Sequence, residues 1–162
     1  MSETQTSLRR VCEEDEPFLF DLYASTRSGE TAAWNWPATQ VAVFLKLQFA
    51  AQRASYAMAY PDAEHSIILK DGRPIGRLLV NRSLAAACLV DISLLPDARG
   101  RGIGSALIRQ LIDECSVSGS KLTLQVHCTN PARDLYLRLG FRCVQGDAMY
   151  DQMEWSPENH SE

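Results

Sequence analysis

The chain has 162 residues, 46% of them apolar and 22% charged, which suits one globular domain with a sizeable core. A net charge of −4 and a pI near 5.4 argue against wholesale nucleic-acid binding. No stretch reaches membrane-spanning length and no apolar leader opens MSETQTSLRR, so the expectation is a cytoplasmic protein.

In chain order, residues 7–13 read as a first strand. Glu14, Asp15, Glu16 and Pro17 then suit a helix start, and Leu19, Leu22 and Tyr23 mark its buried face. Residues 27–35 read as a polar loop carrying Glu30 and Trp34, with Trp36 just beyond. A long helix is expected from Pro37 to Tyr60, stopped by Pro61. Val41, Phe44 and Leu45 give it an apolar face, while Gln48, Gln52 and Tyr56 form a polar line at i, i+4, i+8. A break inside this helix is compatible with the sequence.

Ile67 to Leu69, the pair Asp71-Gly72 and residues 75–80 form a hairpin signal. Asn81-Arg82-Ser83 is a turn before a long strand, 84–95, which Pro96 ends; its 89–95 stretch reads as buried. The next helix opens at RGRGIG and runs to about Ser118, with Leu107, Ile108, Leu111, Ile112 and Cys115 inward and Gly119 as its stop. Residues 121–127 alternate as a strand should. Asn130-Pro131 starts a short helix that holds Leu135, Tyr136 and Leu139 and ends at Gly140. Residues 141–144 and 148–155 read as a last hairpin, and 157–162 as a tail.

The element order, β-α-α-β-β-β-α-β-α-β-β, indicates an α/β (α+β) domain with a mixed sheet. One domain over 1–162 is expected, with its core at about 6–156. The five cysteines, Cys12, Cys88, Cys115, Cys128 and Cys143, are odd in number and widely spaced. Cys88, Cys115 and Cys143 lie in apolar segments and read as reduced core residues. His65, His127 and His160 form no local cluster, and no metal-ligand spacing is seen.

A glycine-rich turn between a strand and a helix N-terminus is an anion site, because N–H groups and the helix dipole both favour negative charge. A dinucleotide fingerprint would need glycine where Ser105 stands. A nucleotide-binding P-loop would need a lysine that is absent. What remains is Arg-x-x-Gly-x-Gly at Arg99, Gly102 and Gly104.

With strand 89–95 before it, and with Asn130-Pro131-Ala132-Arg133-Asp134-Leu135-Tyr136 and Leu139-Gly140-Phe141 after it, the chain resembles the GCN5-related N-acetyltransferase (GNAT) family over nearly its whole length. That resemblance implies a mostly antiparallel sheet of about seven strands, flanked by about four helices and splayed between strands 4 and 5. It implies acetyl-CoA as co-substrate, no metal, and acetyl transfer to a primary amine of a small molecule, peptide or protein by direct attack in a ternary complex. Arg99, Gly100, Arg101, Gly102, Ile103, Gly104 and Ser105 would cradle the CoA pyrophosphate. Ile92, Ser93, Leu94 and Leu95 would face the pantetheine arm, a bulge there freeing the Leu94 N–H as oxyanion donor. Asn130 would contact the same arm or serve only as the helix cap.

By the same resemblance Tyr136 is the general acid, although a packed aromatic is the plainer alternative. Asp91, the charged residue of strand 89–95, is either a base or substrate anchor, or a structural ion pair with Arg77 or Arg82. His127 is a second base candidate or a hydrogen-bonded strand-end histidine. The acceptor side would draw on Glu30, Trp34, Trp36, Gln48, Gln52, Tyr56, His127 and Tyr150, each of which could equally be packing or solvated surface. Family members often dimerise, which leaves a homodimer open. Two other readings remain: a CoA-binding regulatory module without catalysis, and an acetyltransferase acting on aminoacyl-tRNA, which the acidic pI disfavours.

Overall fold

The computed structural model describes residues 5–83 and 85–159. Leu84, expected to begin a strand, and residues 160–162 of the expected tail, His160 among them, lie outside the described residues, while Pro157–Asn159 form a 3-10 turn. The elements are β1 (Thr6–Arg10), α1 (Glu16–Thr26), α2 (Ser28–Trp34), α3 (Ala38–Ala59), β2 (Glu64–Lys70), β3 (Arg73–Arg82), β4 (Ala86–Leu94), α4 (Ile103–Ser118), β5 (Lys121–His127), α5 (Ala132–Arg138), β6 (Arg142–Gly146) and β7 (Tyr150–Trp155). Among the described residues the strands hydrogen-bond in the order β1-β2-β3-β4-β5-β7-β6. The β4–β5 pair is parallel. The chain divides into two compact units, residues 1–78 with 93–99, and residues 79–92 with 100–162.

In the first unit β1 is shorter than expected. It stops at Arg10 because residues 13–15 turn as a 3-10 helix around the buried carboxylate of Asp15. That carboxylate accepts hydrogen bonds from both terminal nitrogens of Arg9, at 2.7 and 2.8 Å, and from the Cys12 N–H at 2.9 Å. The Arg9 guanidinium beside it holds the Asp15 carboxyl far below the usual carboxylate range.

Residues 28–34, expected as a loop, form the seven-residue helix α2. It buries no side chain, so it has no apolar stripe for a sequence reading to detect. Asn35, in the left-handed region at φ 57°, ends it. Helix α3 is unbroken over 22 residues. Leu19 and Tyr23 of α1, Leu45 and Phe49 of α3 and Ile67 of β2 make the core of this unit. Each such side chain contributes roughly 1.5–3 kcal/mol when fully buried. The β2–β3 turn uses Asp71 at φ 51° and Gly72 at φ 81°, the positive pair a two-residue hairpin demands.

In the second unit β4 passes through α4 to β5. A parallel pair needs such a crossover, since no tight turn can join parallel strands. The ladder runs from Ala86↔Lys121 to Leu89↔Leu124, while β4 continues to Leu94 and β5 to His127. Beyond Leu124, β5 pairs with β7 up to His127↔Tyr150. Leu107, Ile108, Leu111 and Cys115 of α4 are buried, as are Leu122, Leu124 and Val126 of β5 and Met153 and Trp155 of β7. Arg82 is held by Glu114 at 3.1 Å.

Of the cysteines expected in the core, only Cys115 is buried. Cys88 is half-buried, and Cys143 is exposed. Cys143 lies on β6, an edge strand whose every residue is exposed and whose register shifts between Cys143 and Gln145.

Candidate active site

The glycine turn behaves as its composition requires. Gly100 and Gly102 take φ 72° and 80°, a region open to glycine and strained for other residues. A Cβ built on either meets nothing within 4 Å, so both face open space. The first α4 bond runs from the Ala106 N–H to the Gly102 carbonyl, at 3.0 Å. The N–H groups of Ile103, Gly104 and Ser105 therefore precede the helix's own bonding pattern. An anion placed there meets N–H donors and the positive end of a 16-residue helix.

Arg101 is exposed, as a phosphate contact requires. The Arg99 Nε donates to the Leu94 carbonyl at 2.9 Å, which ties this exposed side chain to the end of β4.

Strand β4 differs from expectation. Residues 89–95 were expected to be buried, yet only Leu89 is; residues 90–95 are half-buried. The change coincides with the end of the β5 ladder, beyond which one strand edge has lost its neighbour. In the first unit, a Cβ on Gly76 of β3 would overlap the Ser93 carbonyl oxygen and stand 2.8 Å from Leu94 Cδ2. The adjoining Leu95 N–H donates to the Ile75 carbonyl at 2.8 Å. Gly76 was not singled out from the sequence, although a lone glycine inside a strand pattern signals close backbone approach.

In the second unit Tyr136 is 8% exposed and its ring lies 5.7 Å from that of Phe141. Burial first, and then the negative charge of Asp91, push its hydroxyl up to about 12. Tyr136 and Asp91 are thus electrostatically coupled. The Asn130 Oδ1 accepts the Ala132 N–H at 3.0 Å and caps α5, which begins one residue later than expected. Arg82, one of two expected partners for Asp91, is engaged by Glu114. Among the described residues no group of three or more His, Cys, Asp or Glu side chains could hold a metal ion.

The acetyltransferase (GNAT) family model matches residues 18–141, more than half of the sequence. The chain belongs to this family. A Bacillus subtilis (strain 168) protein, provisionally named a ribosomal protein bS18-alanine N-acetyltransferase, is 30% identical over 84 residues. That match spans 51% of this chain and 56% of the relative, little more than half the relative's length.

Many solved structures share the fold, two acetyltransferases among them. The PaiA N-acetyltransferase of Thermoplasma acidophilum, in complex with coenzyme A, is 18% identical over 94% of this chain and 99% of its own, with a TM-score of 0.69. The ribosomal-protein-S18-alanine N-acetyltransferase of Escherichia coli is 20% identical over 94% of each chain, with a TM-score of 0.60.

Within this acetyltransferase fold the acceptor candidates occupy two places. In the first unit, Glu30 pairs with Arg27 at 3.2 Å on exposed α2. Trp34 and Trp36 pack on each other and on Phe44, with ring centroids 5.1–5.7 Å apart. Gln48, Gln52 and Tyr56 are half-buried. Gln48 accepts from the Tyr23 hydroxyl at 3.4 Å, and Gln52 accepts from the buried Arg77 at 2.9 Å. The Arg77 guanidinium also lies 5.8 Å from the centre of the Tyr56 ring.

In the second unit, His127 and Tyr150 face one another across β5 and β7, ring edge to ring face at 5.3 Å. No described helix is long and apolar enough to cross a membrane.

Proposed function

We propose that this protein is an acetyl-CoA-dependent N-acetyltransferase acting on a primary amine. The observation that carries the reading is Tyr136, a buried hydroxyl that feels the charge of Asp91. The family match from 18 to 141 draws on residues of both units. The curated relative and the Escherichia coli structure are both named for acetylation of a protein's alanine, which favours a peptide or protein amine as acceptor.

Acetyl-CoA supplies an activated thioester. The N–H groups at 103–105 and the open faces of Gly100 and Gly102 suit its pyrophosphate, with Arg101 adding charge. Asn130 and residues 92–95 are assigned to the pantetheine arm. In the reaction an N–C bond forms and a C–S bond breaks. Asp91 takes the proton that the amine loses, and Tyr136 supplies one to the departing sulfur. The Leu94 N–H is assigned to the carbonyl oxygen on which charge develops. Gly76, which brings β3 against Ser93 and Leu94, supports this assignment.

The test is thiol release from acetyl-CoA in the presence of amino acids, peptides and aminoglycosides. Amine-dependent release is expected. CoA binding without release on any amine would instead favour a regulatory module.

A further inference from the structure

His127 ends β5, and its neighbours select one tautomer of its neutral ring. The Thr129 backbone N–H donates to Nδ1 at 3.2 Å, and an N–H can only donate. The Thr129 hydroxyl lies 2.7 Å from the same nitrogen. Nδ1 therefore presents its lone pair to Thr129, and the neutral ring carries its proton on Nε2, at the opposite edge.

The backbone beneath the ring is pinned. The Asn130 N–H bonds the His127 carbonyl at 2.9 Å, and the Cys128 N–H bonds the Met149 carbonyl at 2.9 Å. Across the ladder, the Asp147 carboxylate accepts the N–H groups of Met149 and Tyr150, each at 2.7 Å, which fixes the strand that carries the Tyr150 ring. A half-buried imidazole so held offers a fixed N–H donor and packs against an aromatic ring.

A general base needs a bare nitrogen facing its substrate. His127 could present one only in the other tautomer, which would set an Nδ1 proton against the Thr129 N–H. We infer that His127 is a specificity residue: its Nε2–H holds an oxygen of the acceptor molecule, the carbonyl beside the amine of an aminoacyl group, and Thr129 is its positioning residue. This rests on the acetyltransferase reading above. It directs the enzyme toward amines that carry a carbonyl on the neighbouring carbon, as at a peptide N-terminus, over plain alkylamines.

Glutamine and asparagine separate the roles. The glutamine amide nitrogen reaches toward the place of Nε2 and that of asparagine toward Nδ1, and neither is a base. His127→Ala is expected to raise KM for a dipeptide acceptor about tenfold, with kcat and alkylamine turnover little changed. His127→Gln is expected to restore most of that KM, and His127→Asn is not. If His127→Gln and His127→Ala both lose kcat equally on dipeptide and alkylamine, the ring is a proton acceptor and the inference is overturned.

Nitrogen-15 spectroscopy of the imidazole gives a readout that does not depend on turnover. A proton on Nε2 is expected in the neutral ring; one on Nδ1 would overturn the donor assignment. A wild-type protein that turns over no amine, yet keeps the Nε2 proton, would count against the acetyltransferase reading and leave the donor assignment standing.

Discussion

At the side chain of Tyr136, burial and the charge of Asp91 act in the same direction, and both disfavour the phenolate. A hydroxyl that titrates near 12 rather than about 10 is a donor throughout the neutral range. Asp91→Asn removes the charge but keeps most of the burial. The Tyr136 titration, followed by tyrosinate absorbance, is therefore expected to move down toward its ordinary range without reaching it.

The folded pKa of Tyr136 lies above its unfolded value. Its contribution to stability is thus complete below pH of about 10 and is lost as pH rises toward 12. Asp15 has the opposite sign. Arg9 and the Cys12 N–H hold its folded pKa below the unfolded value, so the stability it adds is present above pH of about 4 and is lost as pH falls. Thermal unfolding from pH 7 down through the carboxylate range should show a steep acid limb in the wild type. Asp15→Asn should lower the neutral-pH midpoint and make that limb shallower.

At the scale of elements, Gly76 of β3 is where a small change should propagate. A methyl group there meets the Ser93 carbonyl oxygen and the Leu94 side chain. Gly76→Ala should cost about 1–3 kcal/mol of stability by overpacking. Its acetyl-transfer rate should fall further than a lost fraction of folded protein explains, since the displaced backbone is the one assigned to the oxyanion. Denaturant titration alongside kcat separates the two effects.

The glycine turn and the α5 cap were legible in the sequence because their requirements are local. Gly100 and Gly102 sit at positive φ, and Asn130 caps α5 from two residues away. The seven-strand mixed sheet followed from pattern and family resemblance. What the sequence hid depends on neighbours distant in the chain. The half-exposure of residues 90–95 follows from where β5 leaves the ladder, and the exposure of Cys143 from β6 being an edge. Helix α2 was hidden because seven residues with no buried side chain show no period. The inward role of Gln48 and Gln52 depends on Tyr23 and Arg77, each 25 residues away.

For the whole molecule, ligand binding and folding are linked. A ligand that binds only the native state at about 100 times its Kd adds about 2.7 kcal/mol. CoA at that ratio should raise the thermal midpoint of the wild type. Gly102→Val sets a β-branched residue at φ 80° and fills the open space before α4, and should largely abolish the CoA-dependent shift.

Tyr136 is the proposed proton donor in acetyl transfer. The most direct test is steady-state thiol release by wild type and Tyr136→Phe at saturating amine, across a range of acetyl-CoA. A fall in kcat of about a hundredfold or more, with KM for acetyl-CoA nearly unchanged, is the predicted result. An equal kcat in the two proteins would contradict it.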